Sequence, residues 1–390
     1  MTFLFVTVFL DLVGVGILVP IIPYLVRQFR TDATTVALLS LSFSAAQFFA
    51  SPVLGVLSDR YGRRPVLLWS ILGTALGHFL FGIAGSLPVM FAARILDGIT
   101  GGNISTAQAY ITDITPPEDR AKSFGLIGAA FGLGFILGPA IGGALSTIHV
   151  AAPAFGAGAL ALLTCGFGYF LLPESLPKEL RTKQAMRWGD LNPLRPLVQV
   201  ARRKNLHALL TALFVLNFAF SALQSNFALL TMARFGYTAK QNATIFAFIG
   251  LSAAIVQGVL IRRLSSRLGD RKMVIIGYVS MITGFLGVSL APNETLLYVF
   301  TALISGVGFA STAQTALLSH RVGPREQGWL MGSLQSVLAV TRVLGPLYAG
   351  PVFDMLGPGA PYWSGAMFLL LAFVLTLSAI AKPADAASEA

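Results

Sequence analysis

Gly55-Val56-Leu57-Ser58-Asp59-Arg60-Tyr61-Gly62-Arg63-Arg64-Pro65 packs four charges and two glycines between two long apolar runs. Residues 36–57 before it carry no charged side chain, and Val66–Ala84 after it carry only His78. A charged stretch this short between apolar runs this long is the tight turn joining two membrane spans. Asp59 then belongs to the end of one helix, and Arg63 and Arg64 to the start of the next.

The whole chain supports that reading. Of 390 residues, 55% are hydrophobic and 11% charged, with a mean hydropathy of +0.76. That is too little charge to cover a soluble globule of this length. Strands of an outer-membrane barrel would alternate polar and apolar residues, whereas these runs are apolar throughout. The expectation is an all-α polytopic membrane protein. The net charge of +11 sits in particular loops and not on an amphipathic face, so it marks topology and not nucleic acid. The single cysteine, Cys165, excludes an internal disulfide. The first run, from Thr2, lacks a basic leader and a small-residue cleavage site and holds Asp11 and two prolines. It reads as a retained helix and not a signal peptide.

Working outward, spans are expected over 3–26, 36–57, 66–84, 87–111, 123–145, 152–172, 206–231, 241–261, 273–291, 295–318, 327–350 and 361–381, about twelve helices. Alternate connections are rich in Lys and Arg: 58–65, 112–122, 173–205, 262–272, 319–326 and the tail at Lys382. Both termini are therefore expected in the cytoplasm. The charged segment 173–205 divides the chain into an N-terminal bundle, 1–172, and a C-terminal bundle, 206–390, with itself as a cytoplasmic linker. The halves also repeat. Ser266–Lys272 resembles Asp59–Pro65, and Leu344-Gly345-Pro346 with Gly350 resembles Leu137-Gly138-Pro139 with Gly143. Both matches lie at one offset, 207 residues, without a gap.

Two six-helix bundles in parallel repeat are the architecture of major facilitator transporters, and the motifs make the resemblance specific. Gly55-x-x-x-Asp59-Arg60-x-Gly62-Arg63-Arg64 resembles that superfamily's loop motif between the second and third helices. Arg94-Ile95-Leu96-Asp97-Gly98 resembles its fourth-helix motif, and Gly134-x-x-x-Gly138-Pro139-x-x-Gly142-Gly143 the fifth-helix motif of antiporters. Asp11-Leu12-x-Gly14-x-Gly16 with Pro20 and Pro23 resembles the first helix of drug/proton antiporters, and the runs Ser58–Leu68, Gly98–Gly101 and Gly128–Gly143 resemble the tetracycline/proton antiporters most, in a similarity that spans both halves and is stronger before residue 145. The resemblance implies alternating access and places Asp59 against the start of the eleventh helix, and Arg63 against Asp113. His78 occupies the place of an essential acid of the tetracycline antiporters, Met281 that of another, and Ala253 that of a histidine.

Physical chemistry assigns roles to these residues. Ionisable groups at membrane depth are costly and functional by default. A buried carboxyl favours its neutral form, and an approaching arginine its charged form, so protonation couples to motion at Asp11 and Arg94. Asp97 serves either transport or only as the partner of Arg94 one turn away. His78 is either a proton site or a packing residue. Asp59, Arg60, Arg63, Arg64 and Asp113 form a gating latch, or the arginines merely anchor topology. Gly134, Gly138, Gly142 and Gly143 with Pro139, and Gly345 with Pro346, shape bent, closely packed helices and bind nothing.

For the substrate cavity the candidates are Gln47, Gln108, Asn217, Gln224 and Gln257, uncharged hydrogen-bonding groups suited to a mostly apolar ligand. Arg342 stands where the tetracycline antiporters have a small residue. It meets either an anionic substrate group or a carboxylate across the cavity. No metal cluster and no catalytic motif is present in the sequence, and no segment is long enough for an ATPase domain. The expected function is proton-coupled export of amphiphilic drugs from the bacterial inner membrane by a monomer. It needs no cofactor, and a divalent metal enters only as a drug chelate. Metabolite uptake or exchange, and a receptor or scaffold that no longer transports, are the alternatives. Expected partners are the small substrate, protons and lipid, and no nucleic acid.

Overall fold

In a computed structural model, which describes residues 2–116, 120–182, 192–323 and 326–381, the described residues form helices and no strand. Among the described residues, nine helices are long and apolar enough to cross a membrane, and shorter apolar stretches cover Leu4–Leu18 and Ile136–Ser146. The helices fall into twelve spans. The first is α1 (Thr2–Leu18) and α2 (Ile22–Val26), separated at Pro20, whose missing N–H breaks the ladder. Then come α3 (Ala33–Tyr61), α4 (Arg63–Gly82), α5 (Leu87–Thr100) with α6 (Asn103–Ile114), α7 (Arg120–Ser146) and α8 (Ala152–Leu171). A short helix, α9 (Arg195–Ala201), precedes α10 (His207–Phe235). The eighth span, α11 (Ala239–Ile255), runs into a π-helical stretch, Val256–Ile261, and on to α12 (Arg262–Leu290). The last spans are α13 (Glu294–Ile304) with α14 (Val307–Ser319), α15 (Gln327–Leu356) and α16 (Ala360–Ala381). Residues 183–191 of the charged segment and the tail from Lys382 lie outside the described residues.

Local chemistry sets the helix ends. Asp32 caps α3, its Oδ2 accepting from the Thr35 N–H at 2.8 Å and the Thr35 hydroxyl at 2.6 Å. Asn293 caps α13 through the Leu296 N–H at 2.9 Å. Between α3 and α4 the chain turns at Gly62 with φ 107° and ψ 155°, a backbone region that is essentially glycine's alone. At the matching place in the second half, 207 residues on, Gly269 has φ 68° and ψ 165° and divides α12 into the end of one span and the start of the next.

Contacts group the chain into two units, one of residues 1–193 with 236–250, the other of 194–235 with 251–390; the division passes through α11. The same packing recurs within each. In the first unit a Cβ on Gly77 of α4 would sit 3.0 Å from the Asp97 Cβ and 3.2 Å from the Ala93 carbonyl oxygen of α5. In the second, a Cβ on Gly284 of α12 would sit 2.8 Å from Ile304 and 2.9 Å from the Phe300 carbonyl oxygen of α13. All three positions are displaced by the same 207 residues. The repeat read from loop and helix motifs is therefore also a repeat of helix contacts.

Candidate functional site

The first unit holds a polar cluster at membrane depth. Asp11 on α1 accepts a hydrogen bond at Oδ2 from the Asn103 side-chain amide, 3.1 Å away at the start of α6. Its Oδ1 is buried and has no partner among the described residues. Asp97 on α5 lies within electrostatic range of it. Arg94, one turn before Asp97, donates to the Asp97 carboxylate at 2.5 Å, and its guanidinium lies over the Phe43 ring of α3, 4.1 Å from the centroid. His78 on α4 points at the same carboxylate from 3.7 Å, beyond hydrogen-bond reach. Both its ring nitrogens are buried and have no hydrogen-bond partner among the described residues.

Small residues make this convergence possible. Gly77 brings α4 against α5 beneath Asp97, and a Cβ on Gly98 would strike the Phe43 carbonyl oxygen of α3. Where the fourth span breaks between α5 and α6, the Gly101 carbonyl, freed from the helix, accepts from the Gln47 amide at 2.7 Å. Arg94, Asp97 and His78 are 9%, 3% and 1% exposed. Charges this enclosed persist only when paired, and Asp97 supplies the pair.

A second cluster lies at the α3–α4 corner. Arg63 meets Asp59 at 2.5 Å and Asp113 at the end of α6 at 3.0 Å, and it donates to the Ser58 hydroxyl at 2.6 Å. Ser175 donates to the same Asp113 carboxylate at 3.0 Å. Glu174, just past α8, completes the corner. Its Oε1 accepts from the N–H groups of Arg63, Ser175 and Leu176 at 2.9, 3.0 and 3.1 Å, which neutralises bare donors at the start of α4. Its Oε2 pairs with Arg181 at 3.4 Å. A Cβ on Gly62 would run into this carboxylate. Arg60 and Arg64 stand apart and have no ion pair among the described residues. Arg60 lies over Tyr61 and Arg64 over Tyr169, each 5.6 Å from the ring centroid, and Arg64 also donates to the Tyr169 carbonyl. The sequence reading missed Glu174, Arg181, Ser58, Ser175 and Phe43. The one sequence signal for Glu174 is its position directly after an apolar span, level with the exposed start of α4.

The α7 glycines lie along α1. A Cβ on Gly134 would sit 3.0 Å from Leu12, one on Gly138 2.7 Å from Gly16, and one on Gly142 would strike the Ile17 carbonyl oxygen. Pro139 lies inside α7. Gly143 faces the start of α11, where a Cβ would be 2.5 Å from Ala243. In the second unit Gly345 on α15 approaches Ser221 of α10 in the same way, 2.6 Å from its hydroxyl, and Pro346 follows inside the helix.

The cavity candidates divide between the units. Gln47 is committed to Gly101, and Gln108 on α6 is partly buried. In the second unit Asn217 donates to the Leu213 carbonyl of its own helix at 2.8 Å. Gln224 is exposed, and so is Gln257, which lies in the π-helical stretch. Arg342 is exposed on α15. Other polar groups at depth bond between helices, as Asn226 does to the Ala349 carbonyl and Gln314 to Tyr278 and Thr376. No group of three or more metal-ligating side chains occurs among the described residues.

Comparison with known proteins gives a consistent picture. The family model of the Major Facilitator Superfamily matches residues 4–346 and 258–389. Tetracycline resistance protein, class C, of Escherichia coli is 32% identical over 367 residues, covering 93% of this chain and 91% of the relative. Multidrug resistance protein 2 of Bacillus subtilis is 27% identical over 387 residues, covering 98% and 95%. Among solved structures, the human organic anion transporter MFSD10 (TETRAN) superposes with a TM-score of 0.73 at 27% identity, over 96% of this chain and 98% of that one. The nucleoside transporter NupG superposes with a TM-score of 0.76 at 16% identity, over 97% and 98%, a likeness of fold alone.

Proposed function

We propose that this chain, which belongs to the Major Facilitator Superfamily, exports amphiphilic drugs in exchange for protons, by alternating access. The observation that carries the reading is Asp11, a carboxylate at membrane depth with one oxygen held by Asn103 and the other without a donor. Such an oxygen is ready to take a proton. Neutralising Asp11 removes a negative charge from the neighbourhood of the Arg94–Asp97 pair and leaves Asp97 as that arginine's counter-ion. His78, one short movement from Asp97, is placed to exchange a proton with it. The relatives named for tetracycline and multidrug resistance support drugs as the cargo.

The Arg63 cluster then acts as the conformational latch. It ties the ends of α3 and α6 to the segment after α8, so breaking it shifts the balance between states. On this reading, the Lys- and Arg-rich loops face the cytoplasm of a bacterial inner membrane, and one chain works without a cofactor.

Proteoliposomes with an imposed pH gradient test the proposal, using tetracycline and a panel of lipophilic anions, cations and neutral drugs. Wild type releases protons on addition of a substrate, and Asp11→Asn gives no release while keeping its helical circular dichroism. Undiminished proton release by Asp11→Asn removes Asp11 from the mechanism.

A further inference from the structure

The second unit has no counterpart of the buried charged cluster. The positions 207 residues beyond His78, Arg94 and Asp97 are Phe285, Thr301 and Ile304. In the described spans of this unit the other charged side chains sit near span ends, and none of the spans carries an acid in its middle. Arg342 is the exception, standing midway along the thirty residues of α15.

Three observations define its setting. Protein atoms surround the guanidinium, and the side chain as a whole keeps an exposed surface. It has no hydrogen bond or ion pair among the described residues. Helical geometry places it opposite the exposed apolar Leu344 and Leu347 of α15, whereas Gln335 and Met331, also exposed, share the side of Arg342 two and three turns earlier. In the other direction Tyr348 meets Phe218 of α10 and Phe368 of α16, with ring centroids 5.4 and 5.5 Å away.

An unpaired guanidinium inside a membrane protein is expensive to keep. Without a carboxylate partner in its own unit, it gives its side of α15 a positive potential that repels cations and attracts anions. Its planar fork matches the two oxygens of a carboxylate. Met331, three turns earlier on the same side of α15, suits an apolar body.

Resting on the export reading, we infer that Arg342 is the head-group site for the cargo, and that the cargo class is amphiphilic anions: an aromatic or aliphatic body carrying a carboxylate or similar oxyanion. Gln335 supplies a neutral hydrogen-bonding group on the same face. Lipophilic cations of equal size are rejected.

Equilibrium binding to the full chain in nanodiscs tests this with three probes that share one ring system: 1-naphthylacetate, neutral 1-naphthylacetamide and cationic 1-naphthylmethylammonium. Wild type binds the anion at least 10-fold tighter than either of the others. Arg342→Gln loses that preference while its affinity for the amide stays within about twofold, and Arg342→Lys keeps part of it. Equal affinities for the three probes in wild type, absence of binding included, overturn the assignment, as does an unchanged preference in Arg342→Gln. Because wild type alone gives the head-group preference, the test stands even if a variant folds poorly. The export reading fails on a different measurement, the absence of substrate-driven proton release in liposomes, and a head-group preference seen without proton release leaves an anion-binding site in a protein with another transport mode.

Discussion

Asp97 shows what a single residue contributes beyond packing. Its backbone and Cβ lie against Gly77, and Ile304 lies against Gly284 in the same way, so the contact itself requires no charge. What Asp97 adds is a counter-ion for Arg94 and a nearby carboxylate for His78. Removing only one partner of an enclosed pair leaves the other charge stranded, at about 3–5 kcal/mol. Asp97→Ala is therefore expected to lower stability by about 3 kcal/mol. Asp97→Ile combined with Arg94→Thr, which copies the second unit, should cost less. Unfolding of the detergent-solubilised variants in increasing dodecyl sulfate checks this. A double variant as unstable as Asp97→Ala would show that the charges also hold the fold. Gln47 makes a smaller point of the same kind. Read from sequence as a cavity group, it spends its amide on the carbonyl that the break after α5 leaves open.

At the scale of elements, the α3–α4 corner depends on one glycine and one distant carboxylate. Gly62 adopts φ 107°, and the donors at the start of α4 are met by Glu174 from beyond α8. Gly62→Ala therefore suffers twice, from backbone strain of about 1–3 kcal/mol and from the loss of room for Glu174. Gly269→Ala carries the strain alone, because a Cβ there meets nothing within 4 Å. The expected order of thermal stability is wild type, then Gly269→Ala, then Gly62→Ala; equal losses at both sites would remove the Glu174 contact from the account. The expected span limits agree with the observed helices to within six residues, because a run of apolar residues bounded by charges leaves little choice of where a helix starts and stops. The first span, expected as one helix over 3–26, is broken at Pro20, and the proline is the sequence signal for that break. The π-helical stretch at Val256–Ile261 has no such signal, as its residues fit an ordinary helix equally well.

At the scale of the molecule, two units share a packing pattern and differ in chemistry. The first has Asp11, His78, Arg94 and Asp97 at depth, while the second has Arg342. On the proposed reading, proton handling and head-group recognition belong to different units, so the two can be separated by substitution. The proposed latch belongs to this scale as well, since Arg63 joins α3, α4 and α6. Asp59→Asn removes one of its two carboxylates and should change how readily single cysteines on the two membrane faces react with a water-soluble maleimide, by a few-fold in opposite directions. The experiment uses a background in which Cys165 is replaced. Identical labelling of both faces in wild type and variant would leave Arg63 as a topological anchor only.

Hydrophobicity, charge placement and glycine-proline motifs are local properties, and they were enough to determine the membrane class, the spans, the corner at Gly62 and the repeat of 207 residues. The partners of the polar side chains are not local. Helices that are apolar on every side show no buried face in their sequence, because lipid and protein interior are both apolar. Their rotation is set by where glycines allow contact, as at Gly77, Gly98 and Gly138. Only the tertiary structure therefore decided that His78 and Arg94 share Asp97, that Asn103 holds Asp11, that Glu174 caps α4, and that Arg342 has no partner in its own unit.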